Sequence, residues 1–568
     1  MSLAAVPDEQ PASAPPAAVI GVLGAGTMGA GITQLATRAG AQTLLFDPIP
    51  DALAKGRERI VDGLRRESAK GRISEQDAAE AGARVTAVAE LAALADCELV
   101  IEAVPERLEL KHELFATLSG IVAEDCVLAS NTSSLLVTAI ATAASHPERV
   151  VGMHFFNPPP VMRLLEVVAG EGSGEQALAV AHATGEAMGK TVIRATDGPG
   201  FLVNRCNRPF GLEALRLLGE RIADVETIDR ICRMEGGFPM GPFELSDLVG
   251  VDVGFEISKS FYAQSFGEPR WRPSPIQARY VAAGRHGRKT GRGYYDYSGP
   301  SHRPEDPEPV AVERPGGAVV IAGEGVLARE LVAAATEAGF DVRGEHSPMG
   351  DALPALYVDC ETAFPGEDRE PRRRAVERTH PGTGERGRAA SHAAASHGGA
   401  HLLLCAGASL SVLAPGGSEV GFHVLPPFEK ARAVELTRTE SSSPLVAQRA
   451  EHFFTALGRH VEWVGDAPGL VLGRMVCQIV NEAAFALGEG VGGARDIDLG
   501  MVLGLSHPRG PLEWADAIGL EHVLAILDGL ATEYREERYR AAPALRRLVS
   551  EGRLGASVDG PGFHDAAG

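Results

Sequence analysis

The chain has 568 residues, 45% of them hydrophobic, and its 54 Lys and Arg against 75 Asp and Glu leave a net charge of -21. That length exceeds what one hydrophobic core serves, so three or more domains are expected, and so acidic a surface argues against nucleic acid, whose phosphates need clustered cations. Seven scattered cysteines with no Cys-x-x-Cys indicate neither a disulfide framework nor a metal site and fit a reducing cytoplasm; no apolar run is long enough to span a membrane.

Residues 1–17 lack a basic start and an apolar core, and read as a floppy tail. Val19–Leu23 is a short apolar strand that runs into Gly24-Ala25-Gly26-Thr27-Met28-Gly29 and then a helical pattern from Ala30 to Ala39. In that order the glycines mean dinucleotide binding: they allow a tight turn and close backbone approach, and the helix N-terminus faces a pyrophosphate. A strand from Gln42 to Phe46 ends at Asp47, 23 residues past Gly24 (47 − 24), where a carboxylate accepts hydrogen bonds from a ribose. The bare glycine pattern is often only a turn, but strand, helix and acid together favour the cofactor reading.

Ala52–Lys70 is a charged helix with Arg59, Arg66 and Lys70 on one face. A solvated face and a seat for an anionic substrate handle are equally supported there. A further strand with its exit loop is expected over Leu99–Glu106 and another strand over Cys126–Ser130, with a helix over Leu108–Val122 carrying Lys111. Ser130-Asn131-Thr132-Ser133-Ser134 then lies at a strand's carboxyl end, where ligands bind in open parallel sheets; Thr132 or Ser133 could instead cap the next helix.

The apolar run Val150–Met153 leads to His154, and Glu166 lies within a second apolar run, Val161–Val168. Fully extended, the chain between them would span about 40 Å. Pro158-Pro159-Pro160 forbids continued pairing and favours a reversal. Such a reversal would join imidazole to carboxylate as a base with its orienting partner. A histidine on an apolar run is more often a satisfied core residue, but the edge of this sheet is where chemistry is expected.

Asp197-Gly198-Pro199-Gly200 reads as a domain boundary, after which Phe201–Gly219 and Val225–Met234 look helical. Ser298–Gly317, rich in Pro and Glu, reads as a linker.

Residues 18 to about 297 resemble the L-3-hydroxyacyl-CoA dehydrogenase family. The resemblance rests on Gly24–Gly29, Ser130–Ser133, His154-Phe155-Phe156-Asn157-Pro158, Gly200-Phe201-Leu202-Val203-Asn204-Arg205 and Lys289–Tyr295. It implies that His154 is the general base and Glu166 its partner, and that Ser133 and Asn204 hold the substrate oxygen. It places NAD contacts on Gly24, Gly26, Met28, Gly29, Asp47, Val104, Glu106, Lys111, Ser133 and Asn157, and a coenzyme A contact on Lys70. Gly63 stands where some members have a serine near coenzyme A. The implied reaction is NAD-dependent oxidation of a (S)-3-hydroxyacyl-CoA to the 3-ketoacyl-CoA.

An internal repeat follows at a fixed offset. Asp466–Arg474 echoes Asp197–Arg205, 269 residues on (466 − 197), and at that offset His423 and Glu435 echo His154 and Glu166. Pro508–Glu513 likewise echoes Pro239–Glu244. Val319–Ala328 resembles the glycine turn with Ala328 in place of the third glycine. His346 falls near the position of Asp47, Cys405–Ala408 replaces the serine motif, Pro426 stands for Asn157 and Gly473 for Asn204. Residues 361–399, rich in Arg, His, Gly and Pro, read as a mobile loop.

The expected architecture is an α/β Rossmann-type dinucleotide-binding domain (18–198) and an all-α domain (199–297), followed beyond the linker (298–317) by a degenerate Rossmann-like domain (318–465) and a second all-α domain (466–568). This tandem resembles the longer dehydrogenases of aromatic catabolism, which include phenylacetate breakdown and act on 3-hydroxyadipyl-CoA. Short-chain 3-hydroxybutyryl-CoA metabolism is the alternative substrate reading. From other classes, a dehydrogenase of free hydroxy acids would not need the basic helix or Asn204, and a crystallin-like non-catalytic protein predicts decay of the catalytic set, which the first copy retains. The remaining expectations are a cytoplasmic protein with an acyl-CoA substrate, forming a homodimer or an intrachain pseudo-dimer that buries Leu212, Leu215 and Leu218.

Overall fold

The computed structural model describes residues 14–308, 317–343, 356–362, 400–553 and 562–563. The counterpart placed at His346 and nearly all of the loop read at 361–399 lie outside the described residues. Grouped by contact, the residues up to Arg205 form one compact unit with Ala486–Ser506, and Cys206–Phe485 form a second with the residues from His507 on.

The first unit is built on eight strands: β1 Val19–Leu23, β2 Gln42–Phe46, β3 Val85–Val88, β4 Leu99–Glu102, β5 Val127–Ser130, β6 Val150–Phe155, β7 Leu164–Ala169 and β8 Thr191–Thr196. Their spatial order is β3-β2-β1-β4-β5-β6-β7-β8, and adjacent strands are parallel except β6 and β7. β4, β5 and β6 are buried along their whole length, the polar Glu102, Ser130 and His154 near their ends included, as central strands of a sheet covered on both faces are. The chain steps outward from β1 to β3 and then returns to β4 on the other side of β1. This reversal opens a crevice at the carboxyl ends of β1 and β4.

The β6–β7 connection is too short for a crossover, so the strands pair antiparallel. The proline reversal is held from outside: Lys190 Nζ donates to the carbonyls of Pro159 (2.5 Å) and Met162 (2.6 Å). The helix Ala494–Leu505, from the second half of the chain, packs on β7 and β8. There Asp496 accepts from the Arg194 amide at 3.1 Å, and the Thr196 amide donates to the Val491 carbonyl at 2.9 Å.

The second unit holds seven strands: β9 Ala318–Ala322, β10 Asp341–Arg343, β11 Leu356–Asp359, β12 Ala400–Leu404, β13 Val420–His423, β14 Ala433–Thr437 and β15 His460–Val464. Their order, β10-β9-β11-β12-β13-β14-β15 with β13 and β14 antiparallel, repeats the first sheet without a counterpart of β3 among the described residues. The helix Val225–Met234, from the first half, packs on β14, and Arg230 Nε pairs with Glu462 Oε1 at 2.5 Å.

These two crossing helices sit one repeat offset apart (225 + 269 = 494), and the ion pairs around them repeat as well. In the first unit Arg205 pairs with Glu489 at 2.7 Å; in the second, Arg474 pairs with Glu220 at 2.6 Å. Arg474 is fully buried and also holds Glu213 at 2.5 Å and the Tyr539 hydroxyl at 2.7 Å. Leu212 and Leu215 are buried, whereas Leu218 is only half-buried and Leu217 takes the interior position. All seven cysteines are buried, and among the described residues no helix is long and apolar enough to cross a membrane.

Candidate active site

The glycine turn leaves β1 with Gly24 at φ 95°, in the region that favours glycine; a Cβ there would stand 2.6 Å from the Ala103 carbonyl oxygen. A Cβ on Gly29 would lie 1.7 Å from Gly24 O, so helix and strand meet only because it is absent. At Gly26 an added Cβ would touch nothing within 4 Å. No side chain caps the helix Thr27–Arg38, so its first amides open onto that space, as a bound pyrophosphate requires. Asp47 is half-buried and accepts from Ala25 N (2.8 Å) and Ile49 N (3.0 Å), which fixes the turn. These residues fit the adenosine and pyrophosphate of a dinucleotide, with the exposed Ile49 as an apolar flank. No arginine stands in the nine residues after Asp47, but Arg59 Nη1 comes within 3.4 Å of the Ala25 carbonyl oxygen.

At the ends of β4 and β5 the chain buries a polar network that its sequence did not reveal. Lys111, 1% exposed, lies 2.7 Å from Glu102 Oε2 and 3.2 Å from Glu106 Oε2, and the Ser130 hydroxyl donates to Glu102 at 2.6 Å. Glu106 Oε1 collects the amides of Ser133 and Ser134 and the hydroxyls of Thr132 and Ser134. Burial opposes its charge, but Lys111 and these hydroxyls hold the carboxyl below the usual carboxylate range. Glu106 thus shapes the loop that presents the exposed Ser133, and Asn131 Oδ1 ties that loop to β6 by accepting from Phe155 N at 2.8 Å. The signal for Asn131 lay in its motif; that for Glu102 did not exist without the partner brought by the helix Leu108–Ser119.

His154 and Glu166 are direct partners in the β6–β7 register. Nδ1 of His154 meets Glu166 Oε2 at 2.6 Å, with the two residues 6% and 0% exposed. The other carboxylate oxygen, Oε1, accepts from Leu202 N (3.2 Å) and Val203 N (3.0 Å), so the Gly-Phe-Leu-Val-Asn-Arg motif orients the acid through its backbone. That pairing puts the proton on Nδ1 and leaves Nε2 as the basic nitrogen. Asn204 follows in the turn of helix Val203–Cys206. Phe156 and Phe201 pack on the His154 ring at centroid distances of 4.7 and 5.8 Å. Behind them the second half closes in: added Cβ atoms on Gly492, Gly500 and Gly504 would lie 2.7, 2.7 and 2.8 Å from Leu202, Val203 and Leu164. Of the remaining positions, Met28 and Val104 are half-buried beside the turn, and Asn157 and Lys70 are exposed. Gly63 is buried, where a Cβ would meet Gln34 Oε1 at 2.1 Å.

In the second copy His423 and Glu435 keep the register but not the bond. Nε2 of His423 faces Nε2 of His522 at 3.2 Å, so the nitrogen a substrate would need is covered by a buried imidazole. Burial, followed by the neighbouring His522, drives the His423 pKa well below its ordinary value. Ala328 is buried where the third glycine would stand.

A switch-point crevice with an open glycine turn, an acid on the turn and a histidine–carboxylate pair at the same sheet edge defines a dinucleotide-dependent dehydrogenase. The family model for the NAD-binding domain of 3-hydroxyacyl-CoA dehydrogenase matches residues 19–198, and that for the C-terminal domain matches both 200–297 and 469–564. The chain belongs to the 3-hydroxyacyl-CoA dehydrogenase family, and is an NAD-dependent oxidoreductase. It is 34% identical over 529 residues to a 3-hydroxyadipyl-CoA dehydrogenase of Escherichia coli K12, covering 93% of this chain and 96% of that protein. A 3-hydroxybutyryl-CoA dehydrogenase of Mycobacterium tuberculosis is 41% identical over 280 residues, which are 49% of this chain and 98% of that one. The crystal structure of a 3-hydroxybutyryl-CoA dehydrogenase from E. coli K12 superposes with a TM-score of 0.75 at 31% identity, covering 94% of this chain and 99% of that one.

Proposed function

We propose that the chain oxidises (S)-3-hydroxyacyl-CoA thioesters in the cytoplasm, with His154, Glu166, Ser133 and Asn204 as its working set. The observation that carries this is the 2.6 Å contact between His154 Nδ1 and a carboxylate whose second oxygen is fixed by two backbone amides. NAD, when bound, supplies the hydride acceptor for C3 of the substrate. His154 Nε2 takes the hydroxyl proton, and Glu166 stabilises the imidazolium that forms, as a triad carboxylate does. Ser133 and Asn204 hold the reacting oxygen, and in the reduction direction His154 returns the proton. Proton transfer of this kind is worth about 10²–10⁴-fold, the rest coming from orientation. Lys70 and the exposed face it shares with Arg66 suit the phosphates of coenzyme A.

A dicarboxylyl thioester, as in the long relative's 3-hydroxyadipyl-CoA, is the favoured substrate, with phenylacetate or related aromatic catabolism as its setting. Short-chain 3-hydroxybutyryl-CoA is the alternative. Purified protein assayed on both decides: a kcat/KM advantage for the adipyl thioester supports the first, and the reverse supports the second. Turnover of neither would defeat the acyl-CoA reading altogether.

NAD is expected to exceed NADP in kcat/KM by at least about tenfold, because a 2′-phosphate would crowd the Asp47 carboxylate. Equal values would mean that Arg59 offsets that repulsion. The second copy is proposed to be structural, the two halves forming an intrachain pseudo-dimer. His423→Ala should then leave kcat unchanged, and equilibrium titration should find one NAD site per chain; two sites would overturn the assignment.

A further inference from the structure

The second copy did not simply lose a dyad; it gained different donors. In the first unit the crossing helix presents Gly504 behind the dyad. One offset earlier (504 − 269 = 235) the second unit has Glu235 instead, the residue that caps the helix Val225–Met234. Its carboxyl reaches the place beside Glu435. One oxygen accepts from Leu425 N at 3.1 Å, while the other, Oε2, is buried with no hydrogen-bond partner. Gly473 replaces Asn204 and clears the floor under His423: a Cβ there would stand 2.2 Å from the ring's Cε1. His423 Nδ1, like Glu235 Oε2, is buried and unpartnered. Glu235, His423 and Glu435 are 5%, 0% and 0% exposed, and each brings a donor atom so that all three lie within 4.8 Å of one another. Among the described residues neither carboxylate forms an ion pair. Two acids and an imidazole enclosed without a cation are costly to bury.

We propose that Glu235, His423 and Glu435 form a structural site for a divalent transition-metal cation of the Zn²⁺ class. Mixed imidazole and carboxylate donors suit such an ion. Metal–donor bonds of about 2.0–2.2 Å put tetrahedral donors about 3.4 Å apart, so the cluster contracts by about 1 Å or slightly more on binding. The cation supplies the charge that both carboxylates lack and occupies His423 Nδ1, while the Val471 and Leu472 amides, at 2.7 and 2.8 Å from Glu435, keep that ligand oriented. The donors come from segments about 200 residues apart in sequence (423 − 235 = 188), so no ligand-spacing motif announces the site. Because it is enclosed, loading couples to folding of the second unit rather than to turnover.

The test uses the full chain, freed of any affinity tag and produced in medium supplemented with Zn²⁺, Co²⁺ or Mn²⁺ in turn. Metal content is measured by mass spectrometry after exhaustive EDTA dialysis. The expected result is about one retained ion per chain with Zn²⁺ or Co²⁺, a visible ligand-field spectrum with Co²⁺, and a thermal midpoint that rises with loading. Glu235→Gln with Glu435→Gln, isosteric but neutral, should lose at least about 100-fold in affinity while NAD-dependent turnover persists and reports that the chain is folded. Metal that survives in the double variant lies elsewhere and would overturn the proposal. So would a wild-type chain that retains no ion under any supplement, which would mean that the two carboxyls share a proton instead.

Discussion

His154→Ala is expected to lower kcat by about 10²–10⁴-fold and to leave the NAD dissociation constant nearly unchanged. The two effects separate because, on the proposed assignment, the groups are separate: the dinucleotide would rest on the glycine turn and Asp47, whereas His154, near the end of β6, would reach the reacting hydroxyl. Glu166→Gln should follow with a smaller loss. The amide keeps the shape and one hydrogen bond to Nδ1, but it removes the charge that stabilises the imidazolium and it can impose the wrong tautomer. Leu202 N and Val203 N would still find an oxygen, so the fold around position 166 should survive. Single-turnover reduction of NAD in each variant, with cofactor binding measured by fluorescence, checks both halves of the statement. Wild-type turnover in Glu166→Gln would remove the dyad from the mechanism.

Arg474→Met is expected to destabilise the chain by up to about 3–5 kcal/mol, because it takes from a buried carboxylate the stronger of its two cations and leaves Arg216 alone to offset the charge. Glu213 is fully buried. Burial alone would raise its carboxyl, but Arg474 and then Arg216 overcome this and hold it at about 2. The sign of the linkage follows: a depressed acid contributes stability above its unfolded value, and that contribution fades as the pH falls from about 4.5 towards 2. Arg474→Met should therefore lower the denaturation midpoint at neutral pH and flatten its acid dependence; an unchanged midpoint at pH 7 would show the network to be dispensable. Shortening the chain after Tyr297 is the harsher version. It removes the helix Ala494–Leu505 from β7 and β8 and uncovers Leu202 and Val203, whose amides orient Glu166. Such a chain should aggregate or recover solubility only as a dimer. A stable, fully active monomer of residues 1–297 would refute the intrachain pseudo-dimer.

The sequence alone determined what depends on neighbours along the chain. Strand, glycine turn and helix at Val19–Arg38 were legible because each glycine answers a local steric demand. Asp47 was legible because the β2 end lies at a fixed distance beyond the turn, and His154 and Glu166 because three prolines force a reversal between two apolar runs. The repeat offset of 269 residues even located the second copy. Contacts between distant segments left no local pattern to read, and only the tertiary structure decided them. Lys111 is a sequence-level cofactor candidate whose ammonium lies against Glu102 in a buried network. Arg59 is absent from the neighbourhood of Asp47 along the chain and present in space. Glu235 looks like an ordinary helix-end acid until the Val225–Met234 helix crosses onto the second sheet and buries it beside Glu435. Charge and hydrogen bonding act through space at a few ångströms, and a sequence shows a residue's chemistry without showing which distant residue will answer it.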